Sequence, residues 1–320
     1  MILSSYPFRQ NSNVIYLSGI LDANVAILLH KTKSGSSRFV VFTEATSAEE
    51  QVWTGAKTNV KGAIKHFGAD EAFPVQDISR VLKATGVPLH SAFVDIDQNS
   101  AHSLSELVQS TESPLAHSMQ SIDVALQWMR VVKEDAEIEA MKSASELAAE
   151  AMRSVMQVNW NDKIESELAA LFQFECMKRG AEMLAYTPVV ASGSNALTLH
   201  YIQNKKLMKE GEAVLVDAGA YHNLYNTDVS RTFPVAKSFT EEQAQLYEIV
   251  LQVQEKCISK CTESISLNEL HEYSVGLMTE LLKGIGISAS EEVKRLLFLF
   301  CALGCLFSPF PASHWTLPWT

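Results

Sequence analysis

The chain has 320 residues, 47% of them apolar and 20% charged, which fits a globular protein and excludes a wholly disordered or fibrous one. A formal net charge of −11 repels phosphate backbones, so nucleic acid is not an expected partner; no polybasic run points to an anionic membrane either. None of the five cysteines lies in the first 175 residues and none has zinc-ligand company, which argues against a disulfide scaffold and for a reducing compartment.

At about 150 residues per domain, the length suggests two domains. The start, MILSSYPFRQNSN, has neither the apolar core nor the cleavage site of a secretory signal. The longest apolar run, residues 296–307, is shorter than the ~20 residues that span a bilayer. The expectation is a protein of the cell interior.

In chain order, NVIYLSG (13–19), NVAILLHK (24–31) and RFVVFTE (38–44) read as strands, being rich in Val, Ile, Phe and Tyr between turn residues. DISRVLKATG (77–86) reads as a helix closed by Gly86, and HSAFVDID (90–97) as another strand. This alternation predicts an α/β domain. A change comes near Trp128. From Glu134 to Met156, Ile138, Met141, Ala144, Ala148, Met152 and Val155 recur at helical steps, predicting one long amphipathic helix. A second helix is expected over 163–178, stopping near Gly180. The period then shortens: TPVVASGSNALTLHY (187–201), EAVLVDAGAY (212–221) and YNTDVSRTFPVA (225–236) read as strands joined by Gly and Asn turns. Thr240, with Gln243 three residues on, is a capping-box start for a third helix, faced by Leu246, Ile249, Val250 and Val253. A fourth is expected over 267–283, ended by Gly284. Residues 296–320 contain no Lys, Arg, Asp or Glu; the segment is either a buried terminus or non-native text such as a frameshift or translated intron, the second reading being favoured.

The sharpest chemical feature is Asp217 with Asp228. Asp217 follows an apolar strand, and eleven residues with a Gly-containing turn give hairpin spacing, so the two carboxylates can face each other. Close carboxylates raise one another's pKa unless a cation lies between them, and a carboxylate-bridged pair of divalent ions is a hydrolytic device. The competing reading is two ordinary turn aspartates. His200 ends an apolar strand seventeen residues before Asp217; it could orient a carbonyl or shuttle a proton, or be a satisfied strand histidine. His271 and Glu272 do not form H-E-x-x-H, because position 275 is Val, and read as a solvated helix face. His222 is expected to be exposed in the hairpin turn. Cys301 and Cys305 are a weak metal or redox pair at most.

Four phrases stand out together: Thr187-Pro188-Val189-Val190-Ala191-Ser192-Gly193-Ser194-Asn195-Ala196, Leu199-His200-Tyr201, Leu215-Val216-Asp217-Ala218-Gly219 and Thr227-Asp228-Val229-Ser230-Arg231-Thr232-Phe233-Pro234. In this order and spacing they resemble the pita-bread metallopeptidase family, nearest the Xaa-Pro aminopeptidases (aminopeptidase P) and prolidases. Pro7-Phe8-Arg9-Gln10-Asn11-Ser12 with Tyr16-Leu17-Ser18-Gly19 is similar to text of the aminopeptidase P N-terminal domain, and Met129-Arg130-Val131-Val132-Lys133 to its junction.

The resemblance implies an α/β (α+β) fold: a creatinase-like N-terminal domain over 1–128, an incomplete pita-bread domain over 129–295 and the uncharged tail over 296–320. It implies two divalent ions, usually manganese, held by two Asp, one His and two Glu. The substrates would be peptides with proline in the second position, and the complete enzyme a homo-oligomer, mitochondrial or cytoplasmic. Asp217 and Asp228 match the two Asp ligands, and His200 the histidine that contacts substrate near the scissile bond. The other three ligands of such a set find no match after Arg295 in the text LLFLFCALGCLFSPFPASHWTLPWT, and His314 has no matching neighbours. A truncated form, clipped also at the start and with little or no activity, is therefore expected. The alternatives are a non-catalytic relative serving as a binding or oligomerisation module, and a prolidase-type dipeptidase.

Overall fold

In a computed structural model of the chain, residues 8–32, 34–44, 46–86, 93–94 and 120–287 are described. The expected strand over 90–97 lies outside them except for Phe93 and Val94, and the anomalous tail, with Cys301, Cys305 and His314, lies wholly outside. The chain divides into two compact units, Met1–Lys133 and Glu134–Thr320.

The first unit opens with a helix, α1 (Ser12–Ser18), where the side-chain composition suggested a strand. The reason is local: the Asn11 side chain accepts from the amides of Asn13 and Val14, and Gly19, at φ +72, ends the turn. Capping at both ends outweighs the weak β preference of Val14, Ile15 and Tyr16. Strands β1 (Ala26–Lys31) and β2 (Ser37–Thr43) pair antiparallel, and β2 pairs parallel with β3 (Glu71–Pro74). Between them lie α2 (Ala48–Thr54) and α3 (Val60–Phe67), and after them α4 (Ile78–Thr85), closed by Gly86 at φ +64. Alternation along β2 sends Val41 into one core with Ile20, Ala63 and Ala72, and Val40 and Phe42 into another with Ile78 and Val81. Helices thus cover both faces. A short parallel pair, β4 (Phe93–Val94) with β5 (Gln120–Ser121), and α5 (Asp123–Val131) complete the described part.

The second unit starts with α6 (Asp135–Met156), whose capping box joins Glu134 and Glu137. Its buried stripe runs through Ala144, Leu147, Ala148, Ala151, Met152 and Val155; Ile138 and Met141, at the start of the expected face, stay partly exposed, at 38% each. Helix α7 (Glu165–Lys178) packs beside it. Strand β6 (Met183–Leu184) pairs with β9 (Ala220–His222), which pairs with β10 (Tyr225–Asn226). A second sheet holds β7 (Val189–Ser192), β8 (Ala213–Ala218) and β11 (Val229–Pro234) in the order β11-β8-β7, all antiparallel. Val214, Val216 and Ala218 of β8 bury into the same core as Leu168 and Phe172 of α7 and Met152 of α6. Helices α8 (Glu241–Lys260) and α9 (Leu267–Gly284) share a separate core of Ile249, Val253, Cys257, Leu270, Met278 and Leu282. The Thr240–Gln243 capping box of α8 is formed as the sequence predicts. Among the described residues no helix is long and apolar enough to cross a membrane.

Candidate active site

Strands β8 and β11 place the two aspartates. Val216 and Ala218 turn toward the helices, so Asp217 between them takes the opposite face, opposite Ser230 on β11 and Val189 on β7. Asp228 precedes β11 by one residue. Val229 lies opposite Ala218 and joins the helix-side core, so Asp228 falls on the Asp217 face. The pair is diagonal across the ladder rather than directly opposed, the spacing at which two residues reach a shared third group.

That third group is Tyr186, just after β6. Its hydroxyl lies 2.5 Å from Asp217 Oδ1 and 2.9 Å from Asp228 Oδ1. One hydroxyl proton can satisfy only one of them. Burial, and then the charge of Asp217, push the Asp228 carboxyl above the usual carboxylate value, which the Tyr186 hydrogen bond only partly opposes. Burial and the hydrogen bond to Asp217 raise the Tyr186 hydroxyl, so it stays protonated and donates.

Gly219 makes the convergence possible. A Cβ there would sit 1.9 Å from the Thr227 carbonyl oxygen and 3.0 Å from Cε1 of Tyr186. With that contact occupied, the Ala220 amide donates to the Thr227 hydroxyl (2.9 Å), while the Thr227 amide donates to the Ala220 carbonyl (2.8 Å). The hairpin turns at Asn223 and Leu224, at φ +50 and +71, a two-residue turn of the mirror-image kind that matches strand twist. Its tip rests on α6: the Tyr225 hydroxyl donates to Glu137 Oε1 at 2.5 Å. His222, expected in the turn and exposed, ends β9 instead; its side chain is only 18% exposed and Nδ1 lies 3.6 Å from Glu182 Oε2.

His200 does not end a strand. Strand β7 stops at Ser192, because Gly193 takes φ +51 and a 3-10 turn, Gly193–Leu197, follows. His200 is exposed on the next turn and is not among the partners of either carboxylate. The structure therefore brings Asp217 and Asp228 together and leaves His200 on a neighbouring loop of the same unit.

Tyr186 and Glu165 carry more of the geometry than sequence reading assigned them. Tyr186 stands just before the Thr187–Ala196 motif, and no spacing marks it. Glu165 looks like any acid in a first helical turn, and only its complete burial sets it apart.

Two hard carboxylate oxygens drawn to one point, one held above its normal pKa by burial and by the other's charge, are a donor set that suits a divalent cation. Among the described residues no group of three or more His, Cys, Asp or Glu converges. Tyr186 already fills hydrogen-bonding sites on both carboxylates, so a cation would replace or share its contact.

Comparison with known proteins agrees with this architecture. Residues 139–299 match the model of metallopeptidase family M24, and residues 3–89 that of the aminopeptidase P N-terminal domain. Xaa-Pro aminopeptidase 3 of Mus musculus is 34% identical over 90% of this chain and 58% of its own length. Intermediate cleaving peptidase 55 of Schizosaccharomyces pombe is 33% identical over 92% of this chain and 62% of its own. Zinc-substituted Escherichia coli aminopeptidase P superposes with a TM-score of 0.82 at 27% identity, covering 90% of this chain and 67% of that one. The chain thus spans about three fifths of the length of these curated relatives. With a creatinase-like N-terminal domain and a pita-bread domain joined in this order, the chain belongs to metallopeptidase family M24, next to the aminopeptidases P.

Proposed function

We propose that this chain belongs to a metal-dependent Xaa-Pro aminopeptidase, which releases the N-terminal residue of peptides with proline in second place. The observation that carries the reading is the convergence of Asp217 and Asp228 on the Tyr186 hydroxyl, on the strand pair where the family resemblance puts two metal ligands.

In this reading Asp217 and Asp228 hold divalent metal, two ions of manganese by family analogy. The metal supplies Lewis-acid polarisation of the scissile carbonyl and an activated water. Tyr186 fixes the orientation of both carboxylates through its single hydroxyl. His200, exposed beside the hairpin, holds the substrate near the scissile bond, with a ring nitrogen donating to the carbonyl oxygen. Of five ligands implied by the resemblance, two are assigned here. Affinity follows ligand number, so these two alone are expected to hold metal weakly. A homo-oligomer is proposed for the complete enzyme. A place inside the cell, mitochondrial or cytoplasmic, is supported by the free thiols of Cys176, Cys257 and Cys261.

Metal titration followed by hydrogen exchange tests the reading. Manganese in large excess is expected to slow exchange in residues 213–234 of the parent chain and not in Asp217→Ala. Unchanged exchange with manganese, zinc and cobalt alike would sink it.

A further inference from the structure

The segment between β7 and β8 carries His200, and one carboxylate outside it collects donors from both sides of that histidine. Glu165, the first residue of α7, is fully buried and has no ion-pair partner among the described residues. Its Oε1 accepts from the Ser192 amide (2.8 Å), the Ser192 hydroxyl (2.8 Å) and Asn195 Nδ2 (3.0 Å). Its Oε2 accepts from the Tyr201 hydroxyl (2.9 Å) and the Lys206 amide (3.0 Å). All five donors come from one stretch, residues 192–206, and they bracket His200 on both sides. A buried charge is retained only where such donors satisfy its lone pairs. Burial pushes this carboxyl up, but the Ser192 and Lys206 amides, Asn195 and the Ser192 hydroxyl outweigh it and keep it ionised below the usual range. The position at a helix start adds the favourable end of the helix dipole.

Two further clamps act on the same stretch. Asn204, at φ +50, offers its side chain as a strand edge: Oδ1 accepts from the Val190 amide (3.0 Å) and Nδ2 donates to the Pro188 carbonyl (2.8 Å). Lys206 Nζ donates to the Ser192 carbonyl (3.1 Å) and to Glu212 Oε1 (2.7 Å). Those two clamps fix the ends of the segment; Glu165 reaches inside it, to Asn195 before His200 and to Tyr201 just after it.

We propose that Glu165 is the positioning residue of the substrate-contacting loop: its buried carboxylate fixes the 3-10 turn and Tyr201, and so the place of His200. That the loop contacts substrate rests on the aminopeptidase reading; that Glu165 holds the loop does not.

The test separates the two. In the full 320-residue chain, Glu165→Gln keeps shape but offers an NH2 where two donors point at Oε2. Amide exchange by mass spectrometry is expected to quicken at least tenfold in peptides covering 193–203, while peptides covering 135–156 and 213–218 stay within twofold. Tyr201→Phe, a milder change at a partly exposed site, is expected to quicken the same peptides by a smaller factor and leave the melting temperature unchanged. Unchanged exchange over 193–203 in both variants, or acceleration spread equally over all peptides in both, would overturn the proposal. Where the manganese-loaded chain cleaves an Xaa-Pro tripeptide, Glu165→Gln is expected to lower kcat/KM in the parent but not further in His200→Ala; additive losses would also overturn it. Selective loosening over 193–203 in a chain whose residues 213–234 gain no protection from manganese would count against the aminopeptidase reading alone.

Discussion

Replacing Asp228 with Asn is expected to stabilise the metal-free chain at neutral pH, although it removes a ligand. Asp217 Oδ1 and Asp228 Oδ1 each contact the same Tyr186 oxygen, at 2.5 and 2.9 Å, so they lie no farther apart than the two bonds end to end, about 5.4 Å. Two full charges at that range repel by about 3 kcal/mol at an effective dielectric near 20. Solvent reaches both groups in part, so a net gain of about 1–2 kcal/mol is expected from the neutral amide. The pH dependence fixes the sign. Burial and the Asp217 charge raise the Asp228 carboxyl above its ordinary 3.8. A carboxyl raised in the folded state contributes stability that is complete below the unfolded value and is lost as pH rises through the folded one. The metal-free parent should therefore gain stability through this group as pH falls toward the ordinary carboxyl value, and the Asn variant should lack that gain. Urea unfolding followed by circular dichroism in a chelator, in steps from about pH 8 down to about pH 4, reads both effects. Manganese should then reverse the order, because only the parent keeps both ligands. A lower midpoint for Asp228→Asn at the higher pH, or identical pH slopes for the two proteins, would refute the idea that the carboxylates strain against each other.

Gly219→Ala places a methyl 1.9 Å from the Thr227 carbonyl oxygen, so a loss of about 3 kcal/mol or more is expected in urea unfolding, with loss of manganese protection over 213–234. Tyr186→Phe removes the hydroxyl that both carboxylates share and should cost about 1–2 kcal/mol at neutral pH while retaining Asp217-dependent manganese binding, read by the same titration. Leu224→Gly relieves a branched side chain at φ +71 and should raise stability by about 1 kcal/mol, seen as a higher melting temperature.

Sequence reading reached most of the second unit because the signals there are local and agree with one another. The stripe of α6, the capping box at Thr240 and the apolar run of β8 each specify their element without help from elsewhere. It failed at α1, where Val14, Ile15 and Tyr16 suggested a strand and one Asn cap decided otherwise. It also extended β7 through Gly193 to His200, since nothing in ASGSNALTLHY reveals that a carboxylate 27 residues upstream of Ser192 collects its donors. Asp217 and Asp228 were legible because the hairpin is local in sequence. Tyr186 and Glu165 were not, because their roles exist only once β6, α7 and the hairpin have been brought together.

The aspartate pair is held in place by residues that carry no charge of their own to the site. Without a cation, two carboxylates this close would separate if the backbone allowed it. The backbone does not allow it. Gly219 lets the Thr227 carbonyl come in, Thr227 exchanges hydrogen bonds with Ala220, and the tip is tied to α6 through Tyr225 and Glu137. The repulsion is thus borne by a hairpin tied to itself and to α6. A cation arriving between Asp217 and Asp228 meets donors already in place and needs little rearrangement of the chain, so more of its interaction energy remains as affinity. Destabilisation of the metal-free hairpin and readiness for metal are two consequences of one geometry, and a variant that relaxes the first should weaken the second.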